Sequence, residues 1–326
     1  MIRVGMMSKW HVHATDYLRE ANAHKEIEVA AVWDENPERG HAFAREIGVP
    51  FYETTSSLYR EANIDGVIVD TPTNMHKMII EEAIMHKKHV FSEKVLALTT
   101  SDAVYLTKLA KSSDVHLMLS LPRLSAPYTV YAESLLREEA LGRITSFRCR
   151  VAHDGAVSTD EHPNGWLPAH FYDPIACGGG ALIDLGAHPI YLSNRLIGPV
   201  RALSARLEAT LGHAVDDNAT VMIEYASGAL GILESSFISG GSPFLMEIHG
   251  TKGSLLIENE TARVRFLRGP LTTVSLPPAR RSAMTQWVDA ILRDTDPEIS
   301  SEDMIELTRV NELAVQAHRE NRRVTR

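Results

Sequence analysis

The stretch IRVGMMSKWHVHATDYLREA, residues 2–21, decides how the rest of the chain is read. IRVGMM is an apolar run of strand length, and from Ala14 the apolar positions take helical spacing. Between them lies SKWHVH, the turn where a dinucleotide-binding protein carries its glycines. In the usual G-x-G-x-x-G fingerprint the glycines permit a tight turn, let the pyrophosphate approach the backbone and pack helix against strand. In this chain those positions hold Ser8, Trp10 and His13. A helix N-terminus keeps its free N–H groups and positive dipole end without any glycine. Ser8 and His11 add donors, and Val12 completes the turn. The stretch is read as a nucleotide-binding turn rebuilt without glycine. His11 and His13 also match the His-x-His that opens the metal site of amidohydrolase barrels. A barrel needs eight strand–helix units, and this chain turns antiparallel halfway, so no metal is expected.

Outward from the turn, strand and helix alternate. IEVAAVWD (27–34), DGVIVDTP (65–72), HVFSEK (89–94) and VHLMLSLP (115–122) read as further buried strands, with helical segments between them. Short connections of this kind argue an α/β, doubly wound parallel sheet covered on both faces. Its ligand belongs at the carboxyl ends of the strands. Beyond a helix at 127–140 the pattern becomes β-rich, with turn signals such as ASG and GTKG. Residues 179–198 read as one helix, and two more close the chain at 282–293 and 301–320. The expected organisation is a Rossmann domain over 1–122 and an α+β domain with an open, mainly antiparallel sheet over 123–326.

The bulk numbers narrow the function. Of 326 residues, 44% are hydrophobic and 23% charged, as in ordinary globular proteins. A net charge of −9 without a basic run argues against nucleic acid. No apolar stretch reaches membrane-spanning length, and MIRV lacks a signal-peptide pattern. Cys149 and Cys177 are the only cysteines, so a reducing, cytoplasmic setting is expected.

Several residues sit where chemistry is expected. Asp34 ends the second strand, placed to accept from a ribose 2′-hydroxyl and to repel a 2′-phosphate, so NAD is expected over NADP. Arg39 is read as a helix-surface residue. Thr71, Pro72, Asn74 and His76 of TPTNMH follow the third strand, beside a nicotinamide ribose. In FSEKVLALT (91–99), Glu93 and Lys94 end the fourth strand and face the same edge. In GGGALIDLGAHPIYL (178–192), Asp184 and His188 are four apart and hence on one face of the expected helix. A paired Asp–His makes a tuned general base. Arg123, Trp166, His170, Tyr172 and Asp173 are candidates to line a substrate site.

EKVLA and GGGALIDLGAH, correctly ordered and spaced, together with Asp34 and TPTNMH, resemble the glucose–fructose oxidoreductase/inositol dehydrogenase (Gfo/Idh/MocA) family over essentially the whole length. The resemblance implies a Rossmann domain followed by an open-faced α/β domain, NAD or NADP, and redox chemistry at a hydroxyl-bearing carbon of a sugar or cyclitol. It matches Lys94, Asp184 and His188 to the family's catalytic lysine, aspartate and histidine. Val95 replaces the family's proline, and Tyr191 stands where many members carry another acid. On this reading His188 takes the hydroxyl proton, Lys94 hydrogen-bonds the same oxygen, and Asp184 orients His188 or binds a neighbouring hydroxyl. Two alternatives keep the fold: redox-neutral elimination or glycosidic cleavage with NAD, and a non-catalytic regulator that binds dinucleotide or sugar. Apolar residues on both faces of ALGILESSF, with helices for one face only, suggest a homodimer or homotetramer through the second domain's sheet.

Overall fold

The computed structural model of the chain describes every residue except Ser242. Two compact units emerge, each assembled from two pieces of chain: Met1–Ser120 with Arg281–Ile305, and Leu121–Arg280 with Glu306–Arg326. The first boundary falls within two residues of the expected 122. The return of 281–305 to the first unit departs from the expected division.

The first unit runs β1 (Ile2–Met7), α1 (Ala14–Ala23), β2 (Ile27–Trp33), α2 (Pro37–Ile47), α3 (Thr55–Glu61), β3 (Gly66–Val69), α4 (His76–Met85), β4 (His89–Ser92), α5 (Thr100–Ser112) and β5 (Leu117–Leu119). Its sheet has the order β2-β1-β3-β4-β5, with every pair parallel. All four residues of β3 are buried, as expected of a strand covered on both faces. Helix α2 shows the local logic: the Asn36 side chain accepts from the Arg39 N–H, Pro37 fits the first helical position, and Gly48 ends the helix at φ 74°. Phe51 makes one parallel bridge to Val32 beyond β2. Strand order reverses at β1, so the carboxyl ends of β1 and β3 flank the crevice where such sheets bind ligands.

The second unit begins with α6 (Pro127–Arg137), β6 (Ile144–Ala152), the single-turn α7 (Pro174–Cys177) and α8 (Ala187–Ile197). Strands β7 (Val200–Glu208), β8 (Asn218–Tyr225), β9 (Leu230–Ser236), β10 (Phe244–Gly250), β11 (Gly253–Glu258), β12 (Thr261–Phe266) and β13 (Thr272–Val274) follow. Helices α9 (Ala283–Arg293) and α10 (Ser301–Arg319) and the short β14 (Val324–Thr325) complete the chain. The sheet order is β13-β12-β11-β10-β6-β9-β8-β7-β14. Among the described residues only β6 and β9 of this sheet pair in parallel; the sheet is mixed and mainly antiparallel. Helix α8 packs across β6 and β9. Met222 pairs with Ile232 and Glu224 with Leu230, and the side chains of Met222, Leu230 and Ile232 are exposed.

Helix α9 belongs to the first unit because of Trp287. Its ring is fully buried, lies 5.9 Å from Phe91, and donates its N–H to the His116 carbonyl at 3.2 Å. No periodicity within 283–293 announces that partner. The expected helix over 179–198 begins instead at Ala187. Residues 180–186 are held by another segment: Asp216 accepts the N–H groups of Gly180 and Leu182 on its carboxylate, at 3.0 and 2.8 Å, and that of Ala181 on its carbonyl, at 2.8 Å.

Candidate active site

The glycine-free turn keeps the conformation a glycine would give it. Ser8 lies at φ 79°, a left-handed value that costs a non-glycine residue about 1–2 kcal/mol. Its hydroxyl offsets part of that cost, accepting from the Trp10 N–H at 3.0 Å and from Arg39 at 3.2 Å. The His11 N–H donates to the Asp70 carbonyl at 3.1 Å, tying the turn to the end of β3. Trp10 is buried and Val12 is exposed.

Asp34 is 2% exposed and closes the turn from the β2 side. Its two oxygens accept from the Lys9 N–H at 2.9 Å and the Asn36 N–H at 2.8 Å. Arg39 grips the same carboxylate with Nε at 2.9 Å and Nη2 at 2.6 Å, and also pairs with Glu35. Arg39 is therefore no helix-surface residue. It is the counter-ion of Asp34, and its guanidinium proton is held more tightly than usual by that carboxylate despite burial.

At the carboxyl end of β4, Glu93 and Lys94 are both buried, with Nζ 3.1 Å from Glu93 Oε1. The peptide bond between Lys94 and Val95 is cis. Glu93 Oε2 accepts from the Tyr17 hydroxyl and lies 3.2 Å from His13 Nδ1 and 4.0 Å from His11 Nδ1. Burial alone would raise the Glu93 carboxyl. The Lys94 ammonium and the two imidazoles outweigh burial and hold it well below the ordinary carboxylate range. His11, His13 and Glu93 bring three potential metal-ligating atoms within 4.8 Å of one another. A divalent ion there would have to displace the Tyr17 hydroxyl and compete with the Lys94 ammonium for one carboxylate. His11 Nδ1 also accepts the His13 N–H, at 3.2 Å.

Asp70 is fully buried, and among the described residues neither of its carboxylate oxygens has a hydrogen-bond partner; nor has the Thr71 hydroxyl beside it. Burial, and then the Glu93 charge, raise the Asp70 carboxyl well above its ordinary value. Unpartnered buried polar atoms at the carboxyl edge, next to a helix N-terminus and an acid after β2, fit a dinucleotide. Pro72 is buried beside them and Asn74 is exposed. His76, expected at the cofactor, sits between two backbone carbonyls, Nδ1 2.6 Å from Val95 and Nε2 3.2 Å from Thr71, and its single N–H when neutral is donated to one of them. It fastens the segment after β3 to the segment after Lys94.

In the second unit, Asp184 lies in the turns ahead of α8 and His188 in its first turn, so they do not share a helical face as expected. His188 Nδ1 is 2.8 Å from the Tyr191 hydroxyl, and that oxygen accepts the Arg123 N–H at 3.2 Å. Burial raises Tyr191 well above the ordinary phenol, with Arg123 opposing, so it remains a neutral donor. The Arg123 guanidinium, expected at substrate, packs 4.3 Å over the Phe244 ring and donates to the Tyr128 hydroxyl at 2.9 Å. Asp173 caps α7 through the N–H groups of Ile175 and Ala176. Tyr172 stacks on His213 at 3.8 Å. Trp166 is half-exposed, donates to Asp154 at 3.2 Å and lies 4.6 Å from the His153 ring. Burial lowers His153, and the charges of Asp184 and Asp154 oppose that shift. Phe171 packs with Leu167, Ala181 and Phe237 in a small buried cluster that joins this loop to the segment before α8.

Sequence reasoning missed Tyr17, Asp70 and Asp216. Tyr17 follows His13 by four residues on α1, and that spacing was the available signal. Asp70 closes an apolar strand run, and a lone acid there was a second. Nothing local marks Asp216.

Fold and edge chemistry together define a class: a dinucleotide-binding oxidoreductase fold with a buried lysine–carboxylate pair at the ligand edge. Residues 4–121 match the oxidoreductase family with NAD-binding Rossmann fold, and residues 129–256 match the GFO/IDH/MocA C-terminal domain. The chain belongs to the GFO/IDH/MocA family. Levoglucosan dehydrogenase of Pseudarthrobacter phenanthrenivorans (strain DSM 18606 / JCM 16027 / LMG 23796 / Sphe3) is 30% identical over 254 residues, covering 69% of this chain and 63% of that protein. The chain thus matches less than two thirds of that relative's length. 2,7-Anhydro-N-acetylneuraminate hydratase of Escherichia coli (strain K12) is 28% identical over 275 residues, covering 80% and 69%. A solved levoglucosan dehydrogenase in complex with NADH and L-sorbose superposes with a TM-score of 0.85 at 22% identity, covering 100% of this chain and 98% of that one.

Proposed function

We propose that the protein is an NAD-dependent oxidoreductase that transfers a hydride between the nicotinamide and a hydroxyl-bearing carbon of a sugar, cyclitol or related polyol. The observation that carries this reading is the buried Glu93–Lys94 pair at the carboxyl edge of a sheet with a nucleotide-binding turn. The similarity to levoglucosan dehydrogenase supports the substrate class. NAD supplies the hydride acceptor or donor. The Ser8–Ala14 turn, with Trp10, His11 and Val12, holds its phosphates. Asp34 receives the ribose hydroxyl, with Arg39 fixing the carboxylate, and Thr71, Pro72 and Asn74 flank the second ribose. Lys94 and His188 serve the reacting oxygen, and Asp184 binds a neighbouring hydroxyl. Trp166 lines the sugar side. The exposed Met222, Leu230 and Ile232 support assembly into a homodimer or tetramer through the sheet face; a monomer in light scattering at micromolar concentration overturns that part.

The test is a screen of sugars, cyclitols and anhydrosugars, followed at the reduced-nicotinamide absorbance band. On an accepted substrate, His188→Ala and Lys94→Ala should each lower turnover by about 10²–10⁴-fold, with NAD affinity little changed. Full turnover in both variants would remove these residues from the chemistry. Asp34→Ala, which frees Arg39 to meet a 2′-phosphate, should narrow the preference for NAD over NADP in calorimetric titration. The hydratase relative favours one second reading, a redox-neutral conversion. Product formed without net NADH would select it.

A further inference from the structure

Tyr191 decides which hydrogen His188 carries. The phenol is fully buried, and among the described residues its oxygen has two hydrogen-bonding neighbours: the Arg123 backbone nitrogen at 3.2 Å and His188 Nδ1 at 2.8 Å. An amide N–H only donates, so the phenol oxygen accepts there. The hydroxyl hydrogen then has one acceptor left, the Nδ1 lone pair. The opposite arrangement, with Nδ1–H donating to the phenol, leaves the hydroxyl hydrogen buried without an acceptor. A buried unsatisfied donor biases an equilibrium by roughly 5- to 150-fold.

We infer that Tyr191 holds neutral His188 as the Nε2–H tautomer, so that the ring offers a hydrogen rather than a lone pair from Nε2. His188 is then a hydrogen-bond donor to the reacting oxygen and does not remove its proton. This rests on the proposed function for its consequence, though not for its geometry. In alcohol oxidation a bound NAD would take the C–H hydride, and Lys94, having first released its own ammonium proton to solvent, would take the O–H proton. The ammonium so restored is met by Glu93, whose Oε1 lies 3.1 Å from Nζ. In reduction the Lys94 ammonium would return that proton to the carbonyl oxygen. Tyr191 is a positioning residue in this scheme: it touches neither cofactor nor substrate and acts by fixing the partner of Nδ1. Its place on α8, three residues after His188, keeps the two side chains on one face.

The test is the imidazole ¹⁵N spectrum of the full chain, uniformly ¹⁵N-histidine labelled, at alkaline pH where the ring is neutral. The His188 signals are assigned by their loss in His188→Gln. The expected result is a protonated Nε2 and an unprotonated Nδ1. In Tyr191→Phe the proportion of the Nδ1–H tautomer should rise at least fivefold. A wild-type ring protonated on Nδ1 overturns the inference, as does an unchanged tautomer ratio in a folded Tyr191→Phe. If that variant does not fold, the wild-type spectrum alone decides. The measurement needs no substrate. An Nε2–H ring in a protein that converts no sugar therefore counts against the proposed function only, and an Nδ1–H ring in an active enzyme counts against this inference only.

Discussion

The turn after β1 and the glycine run before α8 are opposites. The first lacks the glycines its role is associated with, yet Ser8 takes a glycine's dihedral at φ 79°. The second has glycines in abundance and reads as the start of a helix, yet its last glycine serves a close approach: a Cβ on Gly180 would stand 1.9 Å from the Asp216 carbonyl oxygen. Conformation is what the local packing demands, and residue type only sets the cost. Where a hydroxyl can recover that cost through two hydrogen bonds, serine substitutes for glycine. Where another backbone occupies the space, nothing substitutes.

The comparison breaks most readily at Gly180. Gly180→Ala should lose about 3 kcal/mol or force the segment apart, read by chemical unfolding of the full chain. An unchanged midpoint would show that the approach is not required. Asp216→Ala should cost about 2 kcal/mol by leaving the Gly180 and Leu182 N–H groups unpaired, and Asp216→Asn should cost less because one acceptor remains. On the other side, Asp70→Asn should stabilise the protein by about 1–2 kcal/mol, since a buried carboxylate without a partner is removed. The sign follows from its raised folded-state proton affinity: the wild-type cost is absent below the unfolded value near about 3.9 and grows as pH rises through the folded one. A melting advantage for Asn that is flat from acid to neutral pH would refute the assignment. Glu93 runs the other way. Its contribution is present above about 4.3 and fades only as pH falls towards its depressed value. The smallest effect is expected for Ser8→Gly, within about 1 kcal/mol of wild type, because relief of the dihedral and loss of two hydrogen bonds nearly cancel.

Most of the first unit was legible because its strands are short apolar runs whose carboxyl ends carry the polar residues. Asp34, Thr71, Glu93 and Lys94 all stand at that edge. What sequence could not supply was the partner of each group. Arg39 is five residues from Asp34 and reads as a helix-surface residue until the two are seen gripping each other. The spacing of Asp184 and His188 presumed one regular helix, whereas residues 181–186 form turns whose leading N–H groups are held by Asp216, more than thirty residues later. Asp173 and Arg123 had the right chemistry for a ligand, but a helix cap and an aromatic face occupy them. Pairings between distant segments, including the parallel β6–β9 register and the return of α9, leave no local periodicity.

The return of α9 also has a consequence for the order of events in time. The Trp287 indole bonds to a carbonyl 171 residues earlier. Ribosomal synthesis at about 5–20 residues per second separates those two positions by roughly 10–30 s. For that interval the residues of the parallel sheet lack the Trp287 ring that packs on Phe91 and Gly66, while the chain from β6 to β13 is being made. The first unit to emerge is therefore among the last to be finished, and a chain stopped before Trp287 would present an apolar sheet face to whatever chaperone or protease meets it first.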